Sequence, residues 1–176
     1  MSLKTKTKKI TAIQVLSEMD KIHRERKAPS MPAKYITGTK HSDSSANGLT
    51  KAIIGFINLS GQQAERINTM GRMVDRTKIV KDVVGFQHRI GSVEWQKGTG
   101  TKGSSDISAT IKGLSVKIEV KMKDRQSDAQ KAYEESITQA GGIYVIFRDF
   151  TSFVKWYVMK FGRPDLFNEA LSRLQS

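Results

Sequence analysis

Residues 104–123 read SSDISATIKGLSVKIEVKMK. Two alternating runs flank Lys112-Gly113, a dipeptide that signals a tight turn. In the first run Ile107, Ala109 and Ile111 share one side. In the second, Val116, Ile118, Val120 and Met122 face one way and Lys117, Glu119, Lys121 and Lys123 the other, which is the two-residue period of a half-buried strand. The stretch predicts a hairpin with one apolar face and one charged face.

The charged face carries the chemistry. Glu119 and Lys121 are two residues apart, so they project from the same face, about 7 Å from each other along the strand. Asp106 lies at the start of the preceding strand, and the turn brings it into the neighbourhood of Glu119. Two carboxylates and one ammonium then converge. Carboxylate oxygens suit a hard cation such as Mg²⁺, which keeps positions open for water and phosphate. Such an ion activates water and offsets charge on a phosphoryl group. An E-x-K pair alone is also what a solvated strand face carries; the upstream Asp and the basic surroundings distinguish this one.

Outward from the hairpin, DAQKAYEESITQA (residues 128–140) has a helical stripe at Ala129, Ala132, Tyr133, Ile137 and Ala140. Ser127 is its expected N-cap, and Gly141-Gly142 ends it. IYVIF (residues 143–147) is a continuous apolar run, as in a buried strand. Asp149 caps a helix with Phe150, Phe153, Val154, Tyr157, Val158 and Phe161 in phase, and Pro164 opens a last helix. Upstream, LTKAIIGFINL (residues 49–59) suits a helix, residues 63–69 a strand, and residues 71–97, with short apolar pairs, a hairpin-like insertion. Before these, residues 1–9 read as a basic tail and 11–27 as an amphipathic helix stopped by Pro29 and Pro32. Residues 37–48 resemble a linker. The expected organisation is an N-terminal tail, helix and linker over 1–47 and one α/β domain over 48–176.

Composition narrows the function classes. The chain of 176 residues has no cysteine, which excludes a disulfide framework and thiolate zinc sites. His23, His41 and His88 lack ligand spacing. No run approaches a membrane span of about 18 apolar residues, so a cytoplasmic protein, of bacterial or phage origin, is expected. Lys and Arg number 30 against 17 Asp and Glu, a net +13. That excess points to a polyanion, nucleic acid before membrane. Residues 1–40 hold ten Lys/Arg against three acids, so over half the excess precedes the domain. Asp106 and Glu119 form a local acidic reversal within the rest.

These segments resemble a known family. GSSDIS (residues 103–108), KIEVK (residues 117–121) and RQSDAQKAYEESITQAGGIYVI (residues 125–146), in that order, are similar to the PD-(D/E)xK nuclease superfamily, closest to its VRR-NUC and Holliday-junction-resolvase-like branches. AERINTMGR (residues 64–72) resembles the family's first core strand. The resemblance covers about residues 48–148. It implies a restriction-endonuclease-like αβββαβ core, a mixed sheet flanked by helices, with an N-terminal helical extension and C-terminal helices. It implies a Mg²⁺- or Mn²⁺-dependent DNA nuclease. Asp106 and Glu119 would be metal ligands with the Val120 carbonyl, Lys121 the catalytic lysine, and Gln130 a neighbour of the site. Ser105 stands where the family's proline is usual. Many members carry a glutamate on the first core helix, but residues 49–60 contain no acid, so either the third carboxylate is missing or Glu65 stands in for it.

Gln130 also completes a capping box with Ser127, and both roles stay open. The G-x-G-x-x-G run at Gly98–Gly103 precedes a strand rather than a helix, against a dinucleotide site. As a flexible basic loop it could instead approach a DNA phosphate. Arg66, Asn68, Arg72, Lys97, Lys102, Lys123 and Arg125 are the expected DNA contacts, and Trp95 is a stacking candidate. The rival expectations are a catalytically inactive nucleic-acid-binding protein on the same fold, and a structural protein whose E-x-K is merely solvated. Homo-oligomerisation is left open.

Overall fold

In this computed structural model, residues 10–68, 71–96, 98 and 100–176 are described. The first helix, α1 (Ala12–Lys27), starts at a reciprocal cap: the Thr11 hydroxyl accepts the Gln14 N–H, and the Gln14 side chain accepts the Thr11 N–H. It ends before Pro29, as the missing proline N–H requires. A single 3₁₀ turn (Ala33–Tyr35) follows. The Asp20 carboxylate on α1 accepts both the Thr39 N–H and hydroxyl at 2.7 Å, which ties the Ser/Thr-rich connection down. Ser45 then caps α2 (Ala46–Leu59).

Next come β1 (Gln63–Arg66), β2 (Arg72–Asp75), β3 (Lys78–Lys81), β4 (Gln87–Ile90), β5 (Val93–Gln96), β6 (Ile107–Ile111) and β7 (Leu114–Val120). The chain closes with α3 (Asp128–Gln139), β8 (Ile143–Phe147), α4 (Phe150–Phe161) and α5 (Asp165–Gln175). A four-stranded mixed sheet has the order β1-β6-β7-β8, antiparallel except for the β7–β8 pair. The hairpin predicted over 104–123 is present, with Ile111 opposite Leu114. Lys112 (φ 48°) and Gly113 (φ 79°) both adopt the positive φ that a two-residue type I′ turn needs. Lys112 is held there by its N–H on Gln62 and its ammonium on the Phe161 carbonyl.

The apolar face of the sheet (Ile107, Ala109, Ile111, Val116, Ile118, Val120) packs with α1, α2, α4 and α5 into one cluster. Phe56 is its centre, meeting Phe150, Phe153, Tyr157 and Phe167 edge-on at 5.1–6.0 Å. Helix α1 contributes Val15, Leu16, Met19 and Ile22. Its outer side meets α5, where Arg173 pairs with Glu25 at 2.7 Å and Glu169 at 3.3 Å. Helix α3 lies on the opposite, polar side of the sheet against its edge strand β8.

Two expectations change, and that of a hairpin-like insertion over 71–97 is met. The strand expected over 63–69 spans Gln63–Arg66; residue 69, like the tail 1–9 and Lys97, lies outside the described residues. The run at 143–147 is not a fully buried strand. Strand β8 is at the sheet edge, only Phe147 is buried, and Ile146 is exposed. The insertion is a two-stranded ribbon in two sections, β2 with β5 and β3 with β4. None of its strands carries a buried residue. No helix among the described residues is long and apolar enough to cross a membrane.

Candidate active site

Asp106 immediately precedes β6. Its carbonyl accepts the Ile67 N–H at 2.8 Å and its Oδ2 accepts the Val120 N–H at 2.9 Å. The carboxylate is thereby fastened to the end of β7, next to Glu119. Ser105 is buried and donates its hydroxyl to the Ile107 carbonyl at 3.0 Å, which satisfies this polar side chain.

Glu119 is only 3% exposed although it lies on the polar face, because α3 lies over it. Its Oε1 accepts from the Gln130 amide and lies 3.2 Å from Lys121 Nζ. Its Oε2 is buried with no partner, which is costly for a carboxylate oxygen. Burial, and then the charge of Asp106, push the Glu119 carboxyl above its ordinary value of 4.5, with Lys121 partly offsetting both. Lys121 Nζ also donates to Gln130 Oε1 at 3.0 Å. That same oxygen accepts the Ser127 N–H at 3.0 Å. Gln130 is therefore both the helix cap and the polar link between Glu119 and Lys121.

A second layer was not legible from the motifs. Glu134 follows Gln130 by four residues, one helical turn along the same face, and accepts from Gln126 Nε2 at 2.7 Å. Tyr144 on β8 rests edge-on against Tyr133 of α3 at 6.3 Å. Burial, reinforced by the Glu119 charge, pushes the Tyr144 phenol up to about 12. Its hydroxyl meets no partner in hydrogen-bonding geometry, although Gln126 lies near enough to temper the shift. The available signal was the polar i, i+4 pair on α3 and one hydroxyl inside the apolar IYVIF run.

The other expected residues are dispersed. Arg66 pairs in register with Ile107, and cross-strand partners point to one face, so Arg66 faces the α2 side, where it donates to Asn47 at 2.7 Å. Glu65 shares the polar face through its partner Ser108. However, no group of three or more His, Asp or Glu side chains comes together among the described residues, so Glu65 does not join Asp106 and Glu119. Arg72 lies on the ribbon and donates to Gln96. Asn68, Lys102, Lys123 and Arg125 are exposed in the segments bordering the sheet end. The Gly98–Gly103 run ends tightly packed: a Cβ on Gly103 (φ +82°) would lie 2.3 Å from the Ala129 carbonyl oxygen. Gly103→Ala is expected to cost about 2 kcal/mol or more from backbone strain and to push the start of α3, and Gln130 with it, off Glu119. Thermal unfolding, read beside Mg²⁺ affinity, checks this; an unchanged melt would show that the loop yields.

The donor set fits a hard divalent cation. It offers two carboxylates, one of them with an orphaned buried oxygen, and no sulfur or imidazole ligand. No protein-family model matches this chain, and no curated protein matches it.

Proposed function

We propose that this chain is a metal-dependent DNA nuclease with a restriction-endonuclease-like αβββαβ core. The observation that carries the reading is the buried Glu119 with its unpartnered Oε2, set beside Asp106 and Lys121 on a strongly basic protein. Asp106, Glu119 and the Val120 carbonyl would hold Mg²⁺ or Mn²⁺. When bound, the ion supplies an activated water and a counter-charge for the phosphoryl oxygens. Lys121 would orient or deprotonate the attacking water, or stabilise the pentavalent phosphorane. Gln130 holds Lys121 and Glu119 in register, and the backbone bond from Val120 keeps Asp106 facing the site.

The test is a panel of linear, circular, flapped and junction DNAs incubated with Mg²⁺, Mn²⁺ or EDTA. Cleavage with a divalent ion and none in EDTA is expected, and the circular substrate separates endonucleolytic from exonucleolytic cutting. No cleavage of any substrate, with salt-sensitive binding retained, would establish the rival: a catalytically inactive DNA-binding protein. That rival has its own observation, since only two carboxylates converge and Lys121 is already paired with one of them. Under either reading, each phosphate neutralised steepens the log–log salt dependence of duplex binding by about 0.9.

The raised Glu119 carboxyl gives a pH prediction. A protonated Glu119 cannot ligate, so Mg²⁺ affinity should begin to fall, on acidification, above the ordinary glutamate value of 4.5. Calorimetric titration across pH reads this. In the window between 4.5 and the raised value the native state holds a proton that the unfolded chain has released, so this group's contribution to stability declines as pH rises.

A further inference from the structure

The ribbon β2–β5 leaves the sheet beside the candidate site. It is inserted between β1 and β6, whose ends face each other at Arg66 and Ile107, and the Ile67 N–H that begins its departure bonds the carbonyl of Asp106. At about 3.3 Å per residue, the twelve steps from Gly71 to Val83 span at most about 40 Å of chain. That is about one turn of duplex DNA.

The ribbon's tip is unusual in composition and well tied in structure. Hairpin turns normally carry Gly, Asn, Asp, Ser or Pro. Here Val83 is 104% exposed, Val84 75% and Phe86 68%. The loop that presents them is braced by one residue. Asp82 Oδ1 accepts the N–H groups of Val84 (3.0 Å) and Phe86 (2.9 Å), Oδ2 bonds His88 Nε2 at 2.9 Å, and Gly85 takes φ +94°. Three apolar side chains are thus held out into water. Exposed Lys78 and Lys81 stand on the strand leading to them; Arg76 and Arg89 lie along the ribbon in exposed ion pairs with Glu94 (3.2 Å) and Asp75 (3.8 Å).

We propose that this ribbon is a DNA-probing arm whose Val83–Val84–Phe86 tip wedges into a base step of a duplex, while its cations track the phosphates. The inference rests on the nuclease reading for its choice of polyanion. Two-stranded ribbons enter either groove of duplex DNA, and apolar wedges inserted between base steps from the minor groove unstack and kink the duplex. The position of the ribbon's base assigns the arm to the same polymer that Asp106 faces. It also specifies the substrate: duplex with a weakly stacked or discontinuous step, where unstacking is cheapest.

The test uses the full chain in EDTA, so that it reads binding and not cleavage. The probe is a duplex carrying 2-aminopurine beside a mismatch, with a fluorescein end label for anisotropy. The wild-type chain should raise 2-aminopurine emission several-fold at saturation. The triple variant Val83→Ser, Val84→Ser, Phe86→Ser, all at exposed positions, should still saturate the anisotropy but leave emission at the free-duplex level. Lys78→Ala with Lys81→Ala should do the reverse, flattening the salt slope by about 0.9 per lysine in phosphate contact while keeping the emission rise. Wild-type binding without an emission rise, or a rise that survives the triple variant, overturns the wedge and leaves the nuclease reading standing. A dimer in sedimentation that the triple variant dissolves, or flotation with anionic vesicles that it abolishes, with emission unmoved, reassigns the tip to a second copy or to lipid. A wild-type chain that binds no duplex at all sinks both the arm and the nuclease reading.

Discussion

Asp106→Ala and Glu119→Ala are each expected to lower metal-dependent DNA cleavage by at least about 10³-fold. Loss of a ligand to a catalytic metal removes several kcal/mol of transition-state stabilisation, and each 1.36 kcal/mol is a factor of ten. The two variants should differ in what else they lose. Asp106 Oδ2 accepts the Val120 N–H, so the alanine variant also leaves that donor unpaired, at a cost of about 1–3 kcal/mol if it stays dry. Asp106→Asn can keep that bond while giving up the charge, so it should melt near wild type and remain inactive. Glu119→Ala instead frees Lys121 and Gln130 from their shared partner. Single-turnover cleavage, calorimetric Mg²⁺ titration and a thermal melt separate these effects. Cutting at the wild-type rate by either alanine variant would sink the assignment of the site.

Phe56→Ala should be the most damaging core substitution, about 3–5 kcal/mol, or a fall in melting temperature of roughly 10 °C or more for a chain of this size. Phe56 is 1% exposed and sits in the middle of four aromatic rings contributed by α4 and α5. Removing it deletes edge-to-face contacts worth about 0.5–1.5 kcal/mol per pair beyond the area buried. It also opens a hole that stiff neighbours cannot collapse into. Phe56→Leu fills part of that volume and should recover more than half of the loss. Denaturant titration of both variants measures it; equal destabilisation would mean that ring geometry, not volume, dominates.

The hairpin at 104–123 was legible because alternation, a turn dipeptide and one polar face all agree there. The helices were legible from their stripes and caps: Ser127 and Asp149 each accept the backbone N–H they were placed to accept. Burial of Glu119 was not. An E-x-K face reads as solvated until α3 is laid across it, and nothing in the spacing says that a helix crosses that side. For the same reason Glu134 and Tyr144 stayed hidden, since their proximity depends on the packing of α3 against β8 rather than on any motif. Arg66 shows how sharply such placement depends on register. It is one residue from Glu65 in sequence, and one residue in a strand is one whole face of the sheet. The ribbon was legible as a hairpin-like insertion but not strand by strand, because its apolar residues face water on both sides and leave no alternation between buried and exposed positions.

The ribbon's nested pairing bears on how the chain finds its fold. Strands β1 and β6 are neighbours in the sheet, yet forty residues separate Arg66 from Ile107. Closing a loop of that length in one step pays its entropy before any contact rewards it. Here the turn at 82–86 brings β3 to β4, that pairing brings β2 to β5, and the second pairing delivers the ends of β1 and β6 to each other. Each closure is local given the one before. A long-range pairing is thereby turned into a zipper that starts at Asp82, and the residue that braces the tip becomes a candidate determinant of folding rate.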